Sequence, residues 1–321
     1  QFRGTEFGWN AYWGDNSVII AATCKMMHYG SCLQDWYLRG LPSFYPPGWF
    51  ALMAVYGKLL HLEAYQTVKF GYLFLSLVYP WALYWLWRKL VNKAVSAAVV
   101  VSTLFFAYTL LDIGWYEHLS AGLFLPWWLY YFEGATASGQ ISHESDRHRL
   151  LVGSLVGGGL FMTYYYWFFL AIAALPFSFM VRKAESGHWN IAMTDLRRKI
   201  ILLAGVGLVS APYWFPLLLS LFTFGIESTQ GIWFQLGHAD FTAAWGAVSI
   251  SSLLIVGGMV ATFSLWERWR GAKILTFFVG ALVVIAIDSL TNFWGFSLQS
   301  RKFFDYILVF TAGPLAIAVM D

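Results

Sequence analysis

The chain has 321 residues, of which 59% are hydrophobic, 20% are aromatic and only 12% are charged, and its net charge is +3. A soluble domain carries about twice that share of charged residues, so the composition favours a polytopic membrane protein and indicates no nucleic-acid partner. Because an open sheet cannot satisfy its backbone hydrogen bonds in lipid, we predict an all-α bundle of transmembrane helices.

Residues 1–65 are predicted to form a first outer loop that carries juxtamembrane helices. Within it, "GDNSVIIAATCKMM" indicates a short amphipathic helix beginning near Asp15. Asp15 is suited to capping that helix, but the next two residues could cap it equally well, and an aspartate among aromatic residues at a membrane surface also suits a general base. Cys24 and Cys32 either pair, if this loop faces an oxidising compartment, or remain free thiols.

A second short helix is predicted in "PPGWFALMAVYGKLLHL", residues 46–62. Pro46 and Pro47 suit the first turn of a helix, where a missing N–H costs little. If this segment crossed the membrane, the alternation of the later spans would fail. We therefore predict that it lies along the outer surface or dips in and returns.

Residues 66–321 are predicted to hold about nine spans, several of which reach the roughly 20 residues that a bilayer requires. The apolar runs are residues 66–87, 94–113, 119–134, 150–163, 166–181, 200–223, 241–264, 272–290 and 303–320. Residue 1 is Gln and the last run stops at Asp321, so we expect a fragment truncated at both ends.

Thirteen cations between the runs predict the topology of the spans. They are Arg88, Lys89, Lys93, Arg147, Arg149, Arg182, Lys183, Arg197, Arg198, Lys199, Arg268, Arg270 and Lys273. If all of them face the cytoplasm, every run alternates correctly across the membrane. Residues 150–181 then form a tight hairpin that turns near "MTYYYWFF" on the outer side. In this hairpin, Gly157–Gly159 is expected to allow close helix packing.

The other seven cations lie on the outer side of this topology. They are Arg3, Lys25, Arg39, Lys58, Lys69, Arg301 and Lys302. Lys58 and Lys69 are expected to pair with lipid headgroups. Arg301 and Lys302 stand together at the outer end of a span, where they either anchor to headgroups or clamp a phosphate, and Arg39 is a further candidate for the phosphate.

The second outer loop, "DIGWYEHLS", contains two acids and a histidine, namely Asp112, Glu117 and His118. These side chains suit contacts with an acceptor, or a divalent metal ion. Their spacing is not that of a known metal motif, so no cofactor is predicted with certainty.

The stretch "LPSFYPPGWF" at 41–50 resembles the first outer loop of the bacterial arabinofuranosyltransferases that prime cell-wall galactan, whose pattern is P-S-F-Y-P-x-G-W-F. The wider layout looks like the GT-C superfamily of glycosyltransferases that use polyprenyl-phosphate sugars. This resemblance implies a multi-pass plasma-membrane enzyme with its active site on the outer face, a polyprenyl-phosphate sugar donor and a cell-envelope glycan acceptor, with arabinofuranose as the sugar. It maps the catalytic aspartate onto Asp15.

The mechanism expected of such an enzyme assigns roles to the remaining candidates. Asp15 would deprotonate or orient the acceptor hydroxyl while outer cations hold the departing phosphate. Three aromatic residues of the first outer loop, Trp13, Tyr45 and Trp49, would stack on sugar faces. Two other classes stay open: a transporter of sugars or lipid-linked glycans, for which helices broken around Pro212 and Pro216 would argue, and a polymerase or ligase of lipid-linked glycans.

Overall fold

The structure is a computed structural model that describes residues 15–30, 33–35, 40–110, 115–134, 143–224, 250–264, 271–292 and 301–320. Within these residues it contains helices, turns and a single isolated β-bridge between Gln34 and Pro42, with no strand. The all-helical fold predicted from the sequence is therefore confirmed.

Eleven α-helices make up the described part of the chain. They are α1 (Asp15–Tyr29), α2 (Gly48–Leu59), α3 (Ala64–Trp87), α4 (Lys93–Leu110), α5 (Trp115–Trp127), α6 (His143–Thr163), α7 (Tyr166–Ser186), α8 (Trp189–Phe224), α9 (Ile250–Ser264), α10 (Gly271–Asn292) and α11 (Arg301–Met320). One π-helical turn, Trp128–Phe132, extends α5 shortly after Pro126.

These bounds follow the apolar runs closely in most of the chain. The short helix predicted at 46–62 is α2, and α1 begins at Asp15 as expected. The largest difference is α8, whose 36 residues begin at Trp189 and continue through Pro212 and Pro216. The break at these two prolines that would have argued for a transporter is therefore absent.

Two of the described helices, α7 and α8, are long and apolar enough to span a membrane. Shorter apolar stretches occur at Lys93–Phe105, Phe278–Asp288 and Val309–Met320. Length and composition alone make this weak evidence for membrane association, because buried helices of soluble proteins share both properties.

Helices α5 to α8 run alternately between two ends of the molecule. At one end, which we call the aromatic end, Tyr116 of α5 lies 6.0 Å from Tyr164 in the turn between α6 and α7. At the other, the basic end, Glu133 after α5 meets Ser178 of α7 and Lys199 of α8. The hairpin predicted at 150–181 is thus present, with its turn at Tyr164–Tyr165.

Small residues let α6 and α8 pack closely. A side chain added at Gly157 would meet Val206 at 2.6 Å, and one added at Gly158 would meet Val209 at 2.3 Å. Gly159 faces open space. The close packing predicted for this glycine run is therefore confirmed at its first two members.

Candidate functional site

Residues 41–50 are held against other parts of the chain at the aromatic end. The Ser43 amide donates to the Leu33 carbonyl at 2.9 Å, and the Ser43 hydroxyl donates to the Tyr45 carbonyl at 2.9 Å, which closes a turn. From α8, the Tyr213 hydroxyl donates to the Phe44 carbonyl at 2.6 Å. The last of these hydrogen bonds joins residues 41–50 to a helix more than 160 residues later in the chain.

The backbone of Gly48, the first residue of α2, lies directly on the end of α6. A Cβ atom at Gly48 would stand 2.7 Å from the Met162 carbonyl oxygen, and backbone atoms cannot swing aside as a flexible side chain can. Only glycine therefore allows α2 to approach the turn between α6 and α7 this closely.

We expect Gly48→Ala to lower the free energy of unfolding by about 1–3 kcal/mol, the usual cost of overpacking a tight contact. The matched control is Gly159→Ala, where the added methyl group meets nothing within 4 Å. Because alanine is the better helix former, the control should be neutral or stabilising by about 0.5–1 kcal/mol. Thermal unfolding in detergent checks both variants, and equal stability of the two would contradict the close approach.

Trp49 is a core residue in this structure. Its side chain is 1% exposed and lies against Tyr72 of α3, with ring centroids 6.2 Å apart, and against Tyr116 of α5, at 5.9 Å. No face of the indole is open to a sugar, which corrects the stacking role expected from the sequence. Tyr45 is only half-buried, so the structure leaves that role available to it.

Glu117 is buried at the start of α5, next to Tyr116. Its charge is close enough to Tyr166 to interact with it electrostatically. The carboxylate expected in a second acidic loop therefore lies on a helix, among the tyrosines of the aromatic end.

The tyrosines of "MTYYYWFF" form the wall beside Glu117. The rings of Tyr165 and Tyr166 stack at 4.8 Å, and Tyr165 also lies 6.2 Å from Tyr213 and interacts with Tyr45. Burial raises the pKa of Tyr165 to about 12. Its side chain is hydrogen-bonded to that of Tyr166 within this group of tyrosines.

Lys69, which we expected to pair with lipid headgroups, is a buried cation. It is 8% exposed, whereas Lys58 is exposed as a headgroup contact requires. Lys69 precedes Tyr72 by three residues, so both lie on the face of α3 that contacts Trp49. The missed signal was its place inside the apolar helix "TVKFGYLF", where a lysine is costly and therefore informative.

The basic end contains a second polar cluster that the sequence did not reveal. Lys199 is 1% exposed, and its ammonium group lies 2.8 Å from Glu133 Oε2 and 2.7 Å from Asp195 Oδ2. Ser178 accepts from Lys199 and donates to Glu133 Oε1 at 2.8 Å. Because every polar group in this cluster has a partner, we interpret the cluster as a structural contact that holds the end of α5 against α7 and α8.

Several predicted site residues cannot be compared with the structure. Trp13, Arg39 and Asp112 lie outside the described residues, as do the side chains of Asp15, His118, Arg301 and Lys302. The backbone places Asp15 at the first residue of α1 and the Arg301–Lys302 pair at the start of α11. Cys24 is a free thiol, and no cluster of three or more potential metal ligands occurs in the part of the chain that the structure describes.

No protein-family model matches the chain, and no curated protein is significantly similar to it.

Proposed function

We propose that this chain is a multi-pass membrane glycosyltransferase that moves a sugar from a polyprenyl-phosphate donor to a cell-envelope glycan on the outer face of the plasma membrane. The observation that carries the proposal is the position of the segment resembling galactan arabinofuranosyltransferases. Residues 41–50 contact α3, α5, α6 and α8 at the aromatic end, beside a buried carboxylate and a group of tyrosines. A segment that only joined two helices would need no such contacts.

The outer surface of α3 supports the membrane setting. Leu73, Leu77, Trp81 and Trp85 recur every four residues and are 46%, 71%, 75% and 53% exposed. A continuous apolar stripe of this length is unfavourable in water and suited to lipid. Together with α7, α8 and the cation pattern, it supports a bundle that crosses the bilayer several times, with the aromatic end outward and the basic end in the cytoplasm.

In the proposed reaction, the anomeric carbon of the donor is attacked by an acceptor hydroxyl, and the polyprenyl phosphate leaves. Asp15 takes the proton of that hydroxyl. The acceptor sugar contacts the half-buried Tyr45, since aromatic rings cover sugar faces, and the buried Glu117 acts on the acceptor through its negative charge. Positive charge near the leaving phosphate stabilises the transition state, and we assign this role to Lys69 together with the Arg301–Lys302 pair.

The continuity of α8 argues against the main alternative, a transporter. Transporters commonly place their substrate where a helix is interrupted near the middle of the membrane. Here, α8 is continuous through Pro212 and Pro216. The charged cluster around Lys199 lies at one end of the bundle, where it is fully paired. These features favour transfer over transport.

The proposal is tested by incubating the purified chain in nanodiscs with radiolabelled polyprenyl-phosphoryl arabinofuranose and a galactan oligosaccharide. We expect a labelled, extended oligosaccharide and release of unsubstituted polyprenyl phosphate. The same protein in liposomes is expected to show no uptake of free sugar driven by an ion gradient. Uptake without transfer would replace the proposed enzyme by a transporter.

A further inference from the structure

Two cations share one aromatic ring at the basic end. Lys89, just after α3, lies with its ammonium group 5.1 Å from the centre of the Tyr130 ring, and the guanidinium of Arg149 lies 4.4 Å from the same centre. Arg149 also donates a hydrogen bond to the Tyr130 carbonyl. Lys89 is further held 4.1 Å from the centre of the Trp85 ring.

Among the described residues, no carboxylate forms an ion pair with either cation. The ion pairs there involve Arg182, Arg198 and Lys199. Asp146, one turn before Arg149, attracts it without forming an ion pair, and Arg198 adds a further repelling charge. Burial, and then the neighbouring charge of Arg149, lowers the pKa of Lys89 from its usual value.

Two adjacent like charges in partly buried positions repel each other unless an anion lies between or beside them. Arg149 is 6% exposed, so it cannot touch a ligand directly and acts through its electrostatic field from its position against the Tyr130 ring. Lys89 is half-buried and can touch a ligand directly. The pair therefore has the features of an anion site with one contacting cation and one supporting cation.

We propose that Lys89 and Arg149 bind the phosphate group of an anionic membrane phospholipid. This inference rests on the membrane setting proposed above, but it does not depend on sugar transfer. It adds a lipid site at the end of the bundle opposite the proposed active site.

The surface leading to Lys89 indicates a lipid rather than a soluble phosphate. Leu77, Trp81 and Trp85 precede Lys89 at intervals of four residues and are exposed, so an apolar stripe ends at the cation. An acyl chain can lie along the stripe while the headgroup phosphate reaches Lys89. Tryptophan is enriched where bilayer and water meet, and basic clusters at the cytoplasmic side of transmembrane helices bind anionic headgroups.

The test compares lipid binding by the purified, delipidated full chain and its Lys89→Gln variant. Titration with phosphatidylglycerol, followed by native mass spectrometry and thermal unfolding, should show a bound lipid and a raised unfolding temperature. We expect Lys89→Gln to weaken binding by about fivefold, as the loss of one cation near an anionic lipid does. Phosphatidylcholine should bind more weakly than phosphatidylglycerol, and inorganic phosphate alone should give no shift.

Lys183→Gln is the matched control. Lys183 also lies over a tryptophan, 3.7 Å from the Trp189 ring centre, but the adjacent cation Arg182 is paired with Glu185. This variant should bind phosphatidylglycerol like the wild type. The proposal fails if both variants lose the same affinity, if neither loses any, or if the two lipids bind equally. An equal shift with inorganic phosphate would assign the site to a soluble anion.

Discussion

Replacing Lys199 by methionine is expected to lower the free energy of unfolding by about 3–5 kcal/mol. The substitution leaves Glu133 buried without its positive partner, 2.8 Å away in the wild type, and an uncompensated charge in a buried site is strongly unfavourable. Urea or thermal unfolding in mild detergent measures the loss. No other described contact is expected to matter as much for keeping α5, α7 and α8 together at the basic end.

Two variants separate this effect from a general effect of charge. Glu185→Gln removes one partner of an exposed pair, with 34% and 36% of the two side chains accessible, and should cost less than about 1 kcal/mol. The double variant Glu133→Gln with Lys199→Met removes the buried carboxylate together with its partner, and Asp195 keeps Arg198, 3.6 Å away, as a partner. It should therefore recover most of the stability. If Lys199→Met loses no more free energy of unfolding than Glu185→Gln, the buried cluster around Lys199 does not stabilise the bundle.

Asp15→Asn is expected to lower sugar transfer by about 10²–10⁴-fold, the contribution of a general base. Asparagine is nearly isosteric with aspartate and is well tolerated where helices begin, so α1 should still form. Measuring transfer from radiolabelled donor together with the unfolding temperature shows whether activity is lost without loss of fold.

A second acid within residues 1–65 is the control for this variant. Glu63 is exposed and forms a capping box with Gln66 at the start of α3, which a glutamine can largely preserve. Glu63→Gln should keep nearly full activity. If Asp15→Asn transfers sugar at the wild-type rate, Asp15 is not the general base. If Asp15→Asn and Glu63→Gln lose the same activity, the cause is a general effect of negative charge in residues 1–65.

The helices were predictable because their signals are local. Run length, apolar content and the cations between runs lie within a few turns of each helix, so the bounds of α2, α3 and α7 agree with prediction to within a few residues. The exception, α8, shows the limit of this reasoning. The spacing of the runs predicts that Arg197, Arg198 and Lys199 precede a helix, but all three lie inside α8. Arg198 and Lys199 contact Tyr131 and Glu133, which come from an earlier part of the chain, as well as Asp195 of α8 itself.

The candidate site was predictable only in part. The pattern at 41–50 identified a segment of interest, and Tyr45 and Glu117 lie with it at the aromatic end. The burial of Trp49 was not predictable, because an aromatic residue shortly after two prolines looks the same in sequence whether it faces a ligand or the core. The place of Lys69 inside an apolar helix signals that it is unusual, but what packs around it depends on the tertiary structure.

Short-range periodicity and charge are enough to predict that the chain is helical, where most helices begin and end, and that α6 and α7 form a hairpin. Which polar residues are buried, and what they contact, depends instead on how the helices pack. Glu133 and Lys199 are 66 residues apart, and Phe44 and Tyr213 are 169 apart. Such pairs are set by the packing of whole helices, and the free energy of burying a charge depends on that packing and not on neighbours in the chain.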